Sequence, residues 1–311
     1  MIHSSEISRA TPRVSVVVRS MGRLDALIEL INALLRQEHD NFEIVIIEQT
    51  PDPDPPASSE LDSLASDPRV RLLKTAPLGG PGARNMGVRE AKGQIVILID
   101  DDDLPVGTGW IRAHEDSYRD ANLVGLTGKH VRSVGERCPY IRFLRPFIRA
   151  RCMRYSVLKT PYTYARFDED IDGVDWLHGT NSSFRTEIAF RSGLWDTTVS
   201  TQDEHSFAFR LHRVLRSNEF LAFRTGPVAL RRLQFPGGLE KRRASLKTEL
   251  SNHLAFVNRV VRVYYRRRFY TAFPLYLGWA FFRTLAWIWD RSRPRVSVRS
   301  RIWDSLRLPL L

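Results

Sequence analysis

The order of apolar and polar positions gives the first reading. Val14-Ser-Val-Val-Val18 is a continuous, β-branched run, which predicts a strand buried on both faces. From Arg23 to Arg36 the apolar residues fall at 24, 27, 28, 30, 31, 34 and 35, the spacing of an amphipathic helix. Phe42 to Ile47 predicts a second buried strand. Pro51 to Ser59 predicts a loop, because its prolines break helices and central strands. A short helix over 59–66 and a short strand over 69–73 follow. Leu78-Gly-Gly-Pro-Gly82 is a glycine-rich turn that opens a helix over 82–92. Gln94 to Ile99 is an apolar strand running directly into Asp100-Asp101-Asp102-Asp103. A helix over 107–119 and a strand near 122–126 complete the alternation.

Strands alternating with helices predict an α/β domain, a mostly parallel sheet flanked by helices. In such sheets ligands bind beyond the carboxyl ends of the strands. The first strand ends at Arg19-Ser20, the second at Glu48-Gln49 and the fourth at the Asp run, so these polar ends share one side. Residues 127–170 show no clean period, and Pro139 to Phe167 reads as a loop region. Asp175 to Phe184 is polar and compact. Helices are predicted over Glu187–Arg191, Ser200–Leu215 and Leu246–Tyr265. The stretch 272–311 is aromatic and basic.

Composition narrows the classes. At 43% hydrophobic and 26% charged residues, neither disorder nor a multi-span membrane protein fits. The start, MIHSSEISRATPR, carries no apolar run, which predicts no cleavable signal peptide. Cys138 and Cys152 sit in no metal-ligand spacing; two free thiols or one disulfide both remain open. The net charge of +12 is uneven: residues 205–311 carry 22 Lys and Arg against 5 Asp and Glu. A mildly acidic first part thus precedes a strongly basic one, which predicts catalysis in the first and an anionic partner for the second.

Four consecutive aspartates after an apolar strand are not explained by packing, because like charges repel and none can be buried unpaired. Capping the next helix would need only one. Their place at a strand's carboxyl end points to a Mg²⁺ or Mn²⁺ site that also takes phosphate. The stretch Leu78-Gly-Gly-Pro-Gly-Ala-Arg-Asn-Met-Gly87, then Ala91-Lys-Gly93, then Ile97-Leu-Ile-Asp-Asp-Asp-Asp103 resembles glycosyltransferase family 2, in which these pieces follow in this order. The resemblance covers about 14–215. It implies the GT-A fold, a Rossmann-like, mostly parallel sheet, with a C-terminal helical basic and aromatic extension. The catalytic domain would span 1–230, with a nucleotide half over about 14–126 and an acceptor-side half over about 127–230; the extension would span 231–311.

Carried over residue by residue, the resemblance makes Asp102 the metal ligand, with a shift onto Asp103 left open. Asp100 and Asp101 would face ribose and diphosphate, and Arg84 the phosphates, which its forked guanidinium suits. Ser20 and Glu48 lie at the two other strand ends that would touch the nucleotide. Here the sequence departs from the family: Arg19-Ser20-Met21-Gly22-Arg23 stands for Pro-Thr-x-Asn-Arg, and Glu48-Gln49-Thr50-Pro51 for Asp-Asp-Gly-Ser. Uridine is the default base of the donor, with guanosine and thymidine open.

Gly179-Thr-Asn-Ser-Ser-Phe-Arg185 matches the family's Gly-x-Asn-x-x-Phe-Arg segment, which implies that Gly179 and Asn181 line the sugar pocket. Trp176 and His178 precede it, Trp176 as either an acceptor platform or a core residue. Thr201-Gln-Asp-Glu-His-Ser-Phe-Ala-Phe-Arg-Leu211 occupies the place of the family's acidic pair, so Asp203 and Glu204 together are the candidate base. A carboxylate would take the proton of an acceptor hydroxyl, the metal would offset charge on the leaving diphosphate, and one displacement would invert the anomeric centre. The Gln-x-x-Arg-Trp motif of processive members is absent, which implies one or a few sugars per acceptor.

Ala272 to Trp289 has 18 residues, as a helix about 27 Å against a bilayer core of roughly 30 Å. Pro274 and Arg283 argue against a span. The alternatives are a helix lying at an anionic membrane surface, a packed cap or dimer contact, and a true span. The expected partners are a nucleoside-diphosphate sugar, a glycan or lipid-linked acceptor and an anionic membrane, with no specific nucleic acid, at the cytoplasmic face of the cell membrane. Competing readings are an inactive GT-A-like protein that binds anionic lipid or nucleic acid, and a nucleotidyltransferase.

Overall fold

The computed structural model describes residues 13–132, 152–155, 161–164, 169–199, 203–232 and, between 254 and 285, residues 254, 256–267, 269–270, 273–274, 276–278, 281 and 285. The first half alternates as the apolar pattern predicts: β1 (Val14–Ser20), α1 (Leu24–Leu35), β2 (Phe42–Glu48), α2 (Pro55–Leu64), β3 (Val70–Lys74), α3 (Gly79–Glu90) and β4 (Ile95–Asp100). A short β5 (Asp103–Pro105), α4 (Trp110–Ser117) and β6 (Leu123–Arg132) follow. Then come a hairpin of β7 (Cys152–Tyr155) and β8 (Pro161–Tyr164), β9 (Ile171–Asp172), β10 (Ser182–Arg185), α5 (Thr186–Arg191), α6 (Asp203–Val214) and β11 (Phe220–Arg231).

Among the described residues the main sheet has nine strands in the order β3-β2-β1-β4-β10-β6-β11-β5, with β9 paired to β11. Strands β3, β2, β1 and β4 are parallel, as are β6 and β11. Strand β10 runs antiparallel between β4 and β6. Side chains alternate across the sheet, so the continuous runs feed two cores. Val16, Val18, Ile44, Ile46, Ile97 and Ile99 pack with α1, α2 and α4. Val17, Val45, Ile47, Val96 and Leu98 pack with α3, α5 and α6.

Four expectations need correction. Helix α2 begins at Pro55, not 59, because Pro at the first helical positions lacks only an N–H that the helix would not use; Asp54 caps it. Helix α4 begins at Trp110, not 107, because Gly107 has φ 79°; Gln37 Oε1 accepts from the Trp110 N–H at 2.9 Å and closes its open end. Strand β6 runs on to Arg132, past the expected end at 126. The region read as loop over 139–167 holds the β7–β8 hairpin. Cys138, residues 233–253 and the tail beyond 285 lie outside the described residues.

Strand β10 carries polar residues through the middle of the sheet. Ser183 is buried and its Oγ meets His114 Nδ1 and Tyr118 Oη, each at 2.9 Å. Burial brings the His114 imidazole down to about 3, against the bond to Asn181, so it is neutral here. Asn181 enters the strand at φ 47°, a left-handed conformation that Asn tolerates better than most residues.

Candidate active site

The four aspartates do not converge on one point. Strand β4 ends in Asp100, the chain turns at Asp101-Asp102, and β5 opens with Asp103. Asp100 takes Arg19 Nε at 2.9 Å and Nη2 at 3.1 Å, and lies 3.9 Å from Arg84 Nη2. Burial alone would raise its carboxyl, but Arg19, Arg84 and Arg231 outweigh burial and hold it below the usual range. Asp101 is fully buried, paired with Arg23 and bonded to Ser20 Oγ at 2.8 Å. Burial prevails there, and the Asp101 carboxyl is pushed up to about 7. Asp102 meets Arg23 Nη1 at 2.9 Å and is 20% exposed. Burial and neighbouring Asp100 raise it. Asp103 is fully buried, takes Arg231 Nε at 2.9 Å and Nη2 at 2.8 Å, and accepts from Thr180 Oγ1 at 2.6 Å. Burial is overcome by these bonds and by His130, 3.7 Å away, and the group stays well below the carboxylate range.

The site faces the start of α6. Arg84, on α3, pairs with Asp203, donates to the Gly179 carbonyl at 2.9 Å, and reaches toward Asp100. One guanidinium therefore links the Asp run to the acidic pair. The two members of the pair differ. Against burial, Arg84 and Arg19 keep Asp203 below its ordinary value. Burial and the adjacent Asp203 charge push Glu204 up to about 7. The two carboxyls are therefore driven apart, one anchored as a carboxylate and the other brought near neutrality.

Other expected site residues are placed differently. Ser20 points to Asp101, and so acts on the Asp run. Glu48 is buried and accepts from the Thr50 N–H at 2.8 Å and from the Thr50 hydroxyl, closing its own loop. Trp176 is 4% exposed, with its ring edge-on to His178 and His205, and leaves no open face for a sugar; of its two readings the structure supports the core one. The expectation that Asn181 lines the sugar pocket fails too. Its Oδ1 accepts from Trp110 Nε1 at 2.9 Å and meets His114 Nε2 at 3.2 Å, and its Nδ2 donates to the carbonyls of Lys129 and Pro227. It has no capacity left for a ligand and instead ties β10 to α4, β6 and β11. His178 is partly exposed, and burial takes its imidazole well below the ordinary value, so it is neutral. Gly179 lies so close to Arg84 that a Cβ there would sit 2.7 Å from Nη2.

The sequence reading missed the arginines. Arg19 and Arg23 come from the end of β1, where Arg23 stands at the family's Arg position and offered a signal. Arg231 and Arg232 come from the end of β11. Besides the Arg231–Asp103 pair, Arg232 donates its N–H to the Asp102 carbonyl at 2.9 Å and its Nη2 to the Asp101 carbonyl at 2.7 Å. Nothing in local spacing announces these, since the bonds cross more than a hundred residues. They also show that the boundary expected at 230 would separate the Asp run from its clamps.

The donor set fits a divalent cation. Mg²⁺ and Mn²⁺ are held by one or two carboxylates plus phosphate oxygens and water. Asp102 is the one member of the run that is partly open to solvent without a bidentate arginine. Among the described residues no three acidic, His or Cys side chains form a metal cluster, so most ligands would come from the substrate and water. Asp103, enclosed by Arg231 and Thr180, has no oxygen to offer.

Comparison with known proteins gives the family and the fold. A family model described as glycosyl transferase family 2 matches residues 15–190. An uncharacterized glycosyltransferase of Rickettsia felis is 38% identical over 93 residues, 30% of this chain and 15% of that protein, so the match spans a small part of its length. The uncharacterized glycosyltransferase YwdF of Bacillus subtilis is 33% identical over 198 residues, 64% of this chain and 67% of its own. The mannosyltransferase PcManGT of Pyrobaculum calidifontis, solved with GDP-Man and Mn²⁺, superposes with a TM-score of 0.58 at 16% identity, over 97% of this chain and 82% of that one. That likeness establishes a shared GT-A fold.

Proposed function

Since this chain belongs to glycosyl transferase family 2, we propose that it moves a sugar from a nucleoside-diphosphate sugar to a hydroxyl of a glycan or lipid-linked acceptor, with inversion and without processive elongation. The observation that carries this reading is the Arg84 bridge, which puts an acidic strand end and an acidic helix start on one site.

In this reading the diphosphate lies over the Asp100–Asp102 turn. Arg19, Arg23 and Arg84 leave part of their carboxylate pairing for phosphate oxygens, to which forked guanidinium groups are matched. A bound Mg²⁺ or Mn²⁺ would neutralise charge on the leaving diphosphate. Asp102 would hold that ion, while Asp101, through Ser20 and Arg23, fixes the turn that presents it. Glu204 accepts the proton of the attacking hydroxyl; its raised pKa suits a base working near neutral pH. Asp203, anchored by Arg84, keeps the first turn of α6 in place. The acceptor is met at the cytoplasmic face of an anionic membrane.

Thermal-shift titration with nucleoside diphosphates and their sugars, with and without Mn²⁺, tests the reading. A ligand that binds only the folded state raises the melting temperature. One nucleotide should give a metal-dependent rise that Asp102→Ala abolishes. No rise with any nucleotide, in folded protein, refutes it.

A further inference from the structure

The described residues between 254 and 285 rest on the catalytic body through one face. Val257, Val260, Val261, Phe269 and Tyr276 are buried in one cluster with Phe209 of α6. Arg210 Nε donates to Tyr264 Oη at 2.8 Å, and the Arg213 guanidinium lies 4.7 Å from the Tyr264 ring centre. This segment is therefore fixed to the helix whose first turn carries Asp203 and Glu204.

The other face is apolar and open. From 266 to 285 every described residue is helical. Tyr270, Phe273, Leu277, Phe281 and Leu285 are 58%, 43%, 49%, 60% and 46% exposed. Their spacing of three and four residues puts them along one side, with Tyr270 and Phe273 at its border, their ring centres 5.2 and 5.5 Å from that of the buried Phe269. About half of five large side chains is on the order of 500 Å², near the top of what a monomer ordinarily exposes. No helix among the described residues is long and apolar enough to cross a membrane.

Charge selects the occupant. From Ser251 to Trp289 the sequence holds six arginines and no Asp or Glu. Arg259, Arg262 and Arg266, at the start of the segment, are exposed. An apolar helical stripe beside a cationic segment, the two separated by the helix end at Tyr265, suits the headgroup layer of an anionic membrane. A protein partner would need matching acidic and apolar surfaces, whereas anionic lipid supplies both at once.

We propose that the face formed by Tyr270, Phe273, Leu277 and Leu285, with Arg259, Arg262 and Arg266, seats the protein flat on an anionic bilayer. The packing on Phe209 and Arg210 then holds α6, and with it Asp203 and Glu204, at a fixed height above the lipid. This deepens the transferase reading by naming the surface from which the acceptor is met, and it rests on that reading only for the acceptor.

The test is co-sedimentation of the full chain with phosphatidylcholine vesicles, with and without phosphatidylglycerol. Wild type should bind only the anionic vesicles, and less as salt rises. Arg259→Gln/Arg262→Gln/Arg266→Gln should weaken binding about 100-fold, taking about 1 kcal/mol for each arginine near the surface. Phe273→Ser/Leu277→Ser should weaken it about tenfold or more. Both variants should keep the nucleotide-dependent thermal shift, which shows that they fold. Absence of vesicle binding by wild type, equal binding to phosphatidylcholine alone, or variants that bind like wild type each overturn the docking face. So does a wild-type dimer that Phe273→Ser/Leu277→Ser splits without changing vesicle binding, since the face then belongs to a second copy. Loss of the nucleotide shift in wild type with vesicle binding intact sinks the transferase reading and leaves the docking face standing.

Discussion

Arg84→Met gives the sharpest test of how the site is held together. The substitution keeps a long apolar stem and deletes the charge. The Arg84 and Asp203 side chains are only 5% and 11% exposed, and removing one partner of a buried pair typically costs about 3–5 kcal/mol. The lower end applies here, because Arg19 also acts on Asp203 and the carboxylate sits in the first turn of a helix, where the dipole favours it. A loss of about 3 kcal/mol at pH 7 is expected, of which about 1 kcal/mol reflects the Gly179 carbonyl left without its donor. With an m-value of about 3 kcal/mol/M in urea, the midpoint should fall by about 1 M. The sign of the pH dependence follows from Asp203, whose folded pKa is depressed. Its pairing stabilises the fold above the unfolded value of about 3.9 and is lost as pH falls through the folded value. The gap between wild type and Arg84→Met should therefore narrow as pH falls below about 4, and reach the carbonyl part only once pH lies below the depressed folded value of Asp203. Arg84→Met/Asp203→Asn should recover about 2 kcal/mol, measured as a double-mutant cycle. A gap that stays constant with pH, or strict additivity in the cycle, refutes the argument that Arg84 and Asp203 act as one unit.

Other outcomes follow from the same geometry. Glu204→Gln should lower kcat by about 10²–10⁴ with donor KM little changed, and wild-type rate should rise with pH through about 7; a variant keeping more than about a tenth of wild-type kcat moves the base to Asp203. Gly87→Ala gains about 1 kcal/mol of helix propensity, but its Cβ would sit 2.2 Å from Val17 Cγ1. Overpacking costs about 1–3 kcal/mol, so a net loss is expected in thermal unfolding, and it should shrink in a Val17→Ala background; a raised melting temperature contradicts it. Asn181→Ala strands the Trp110 and His114 nitrogens and two carbonyls while keeping a left-handed φ, and should cost about 3–4 kcal/mol in urea unfolding; a loss below about 1 kcal/mol means that water replaces the amide.

The sequence made some of this legible for physical reasons. β1, β2 and β4 could be read because burial on both faces writes an unbroken apolar run. The side of the sheet that carries the site could be read from the polar ends of the same strands. β10 could not be read as a sheet strand, because Ser182 and Ser183 look like loop residues until His114 and Tyr118 satisfy Ser183. Prolines 55 and 56 misled because a breaker and a helix starter are the same residue in different positions. The Asp run announced chemistry, but not its division into one carboxylate held through a single arginine nitrogen and three held through two. That division depends on Arg19, Arg23 and Arg231, which converge only in the folded chain.

The place of β10 in the sheet bears on how the protein is made. Strand β4 is complete at residue 100, but the partner for its second edge starts at 182. At a synthesis rate of about 5–20 residues per second, that edge waits on the order of 4–16 s for its neighbour. Throughout that interval Ile95 to Ile99 presents unpaired N–H and C=O groups on an apolar strand, the template to which other chains add. The charges that follow in Asp100–Asp103 stand at its end as gatekeepers. The order of synthesis thus leaves the second edge of β4 without its partner until β10 is made, with like charges at the end of that edge, where a second copy would have to pair.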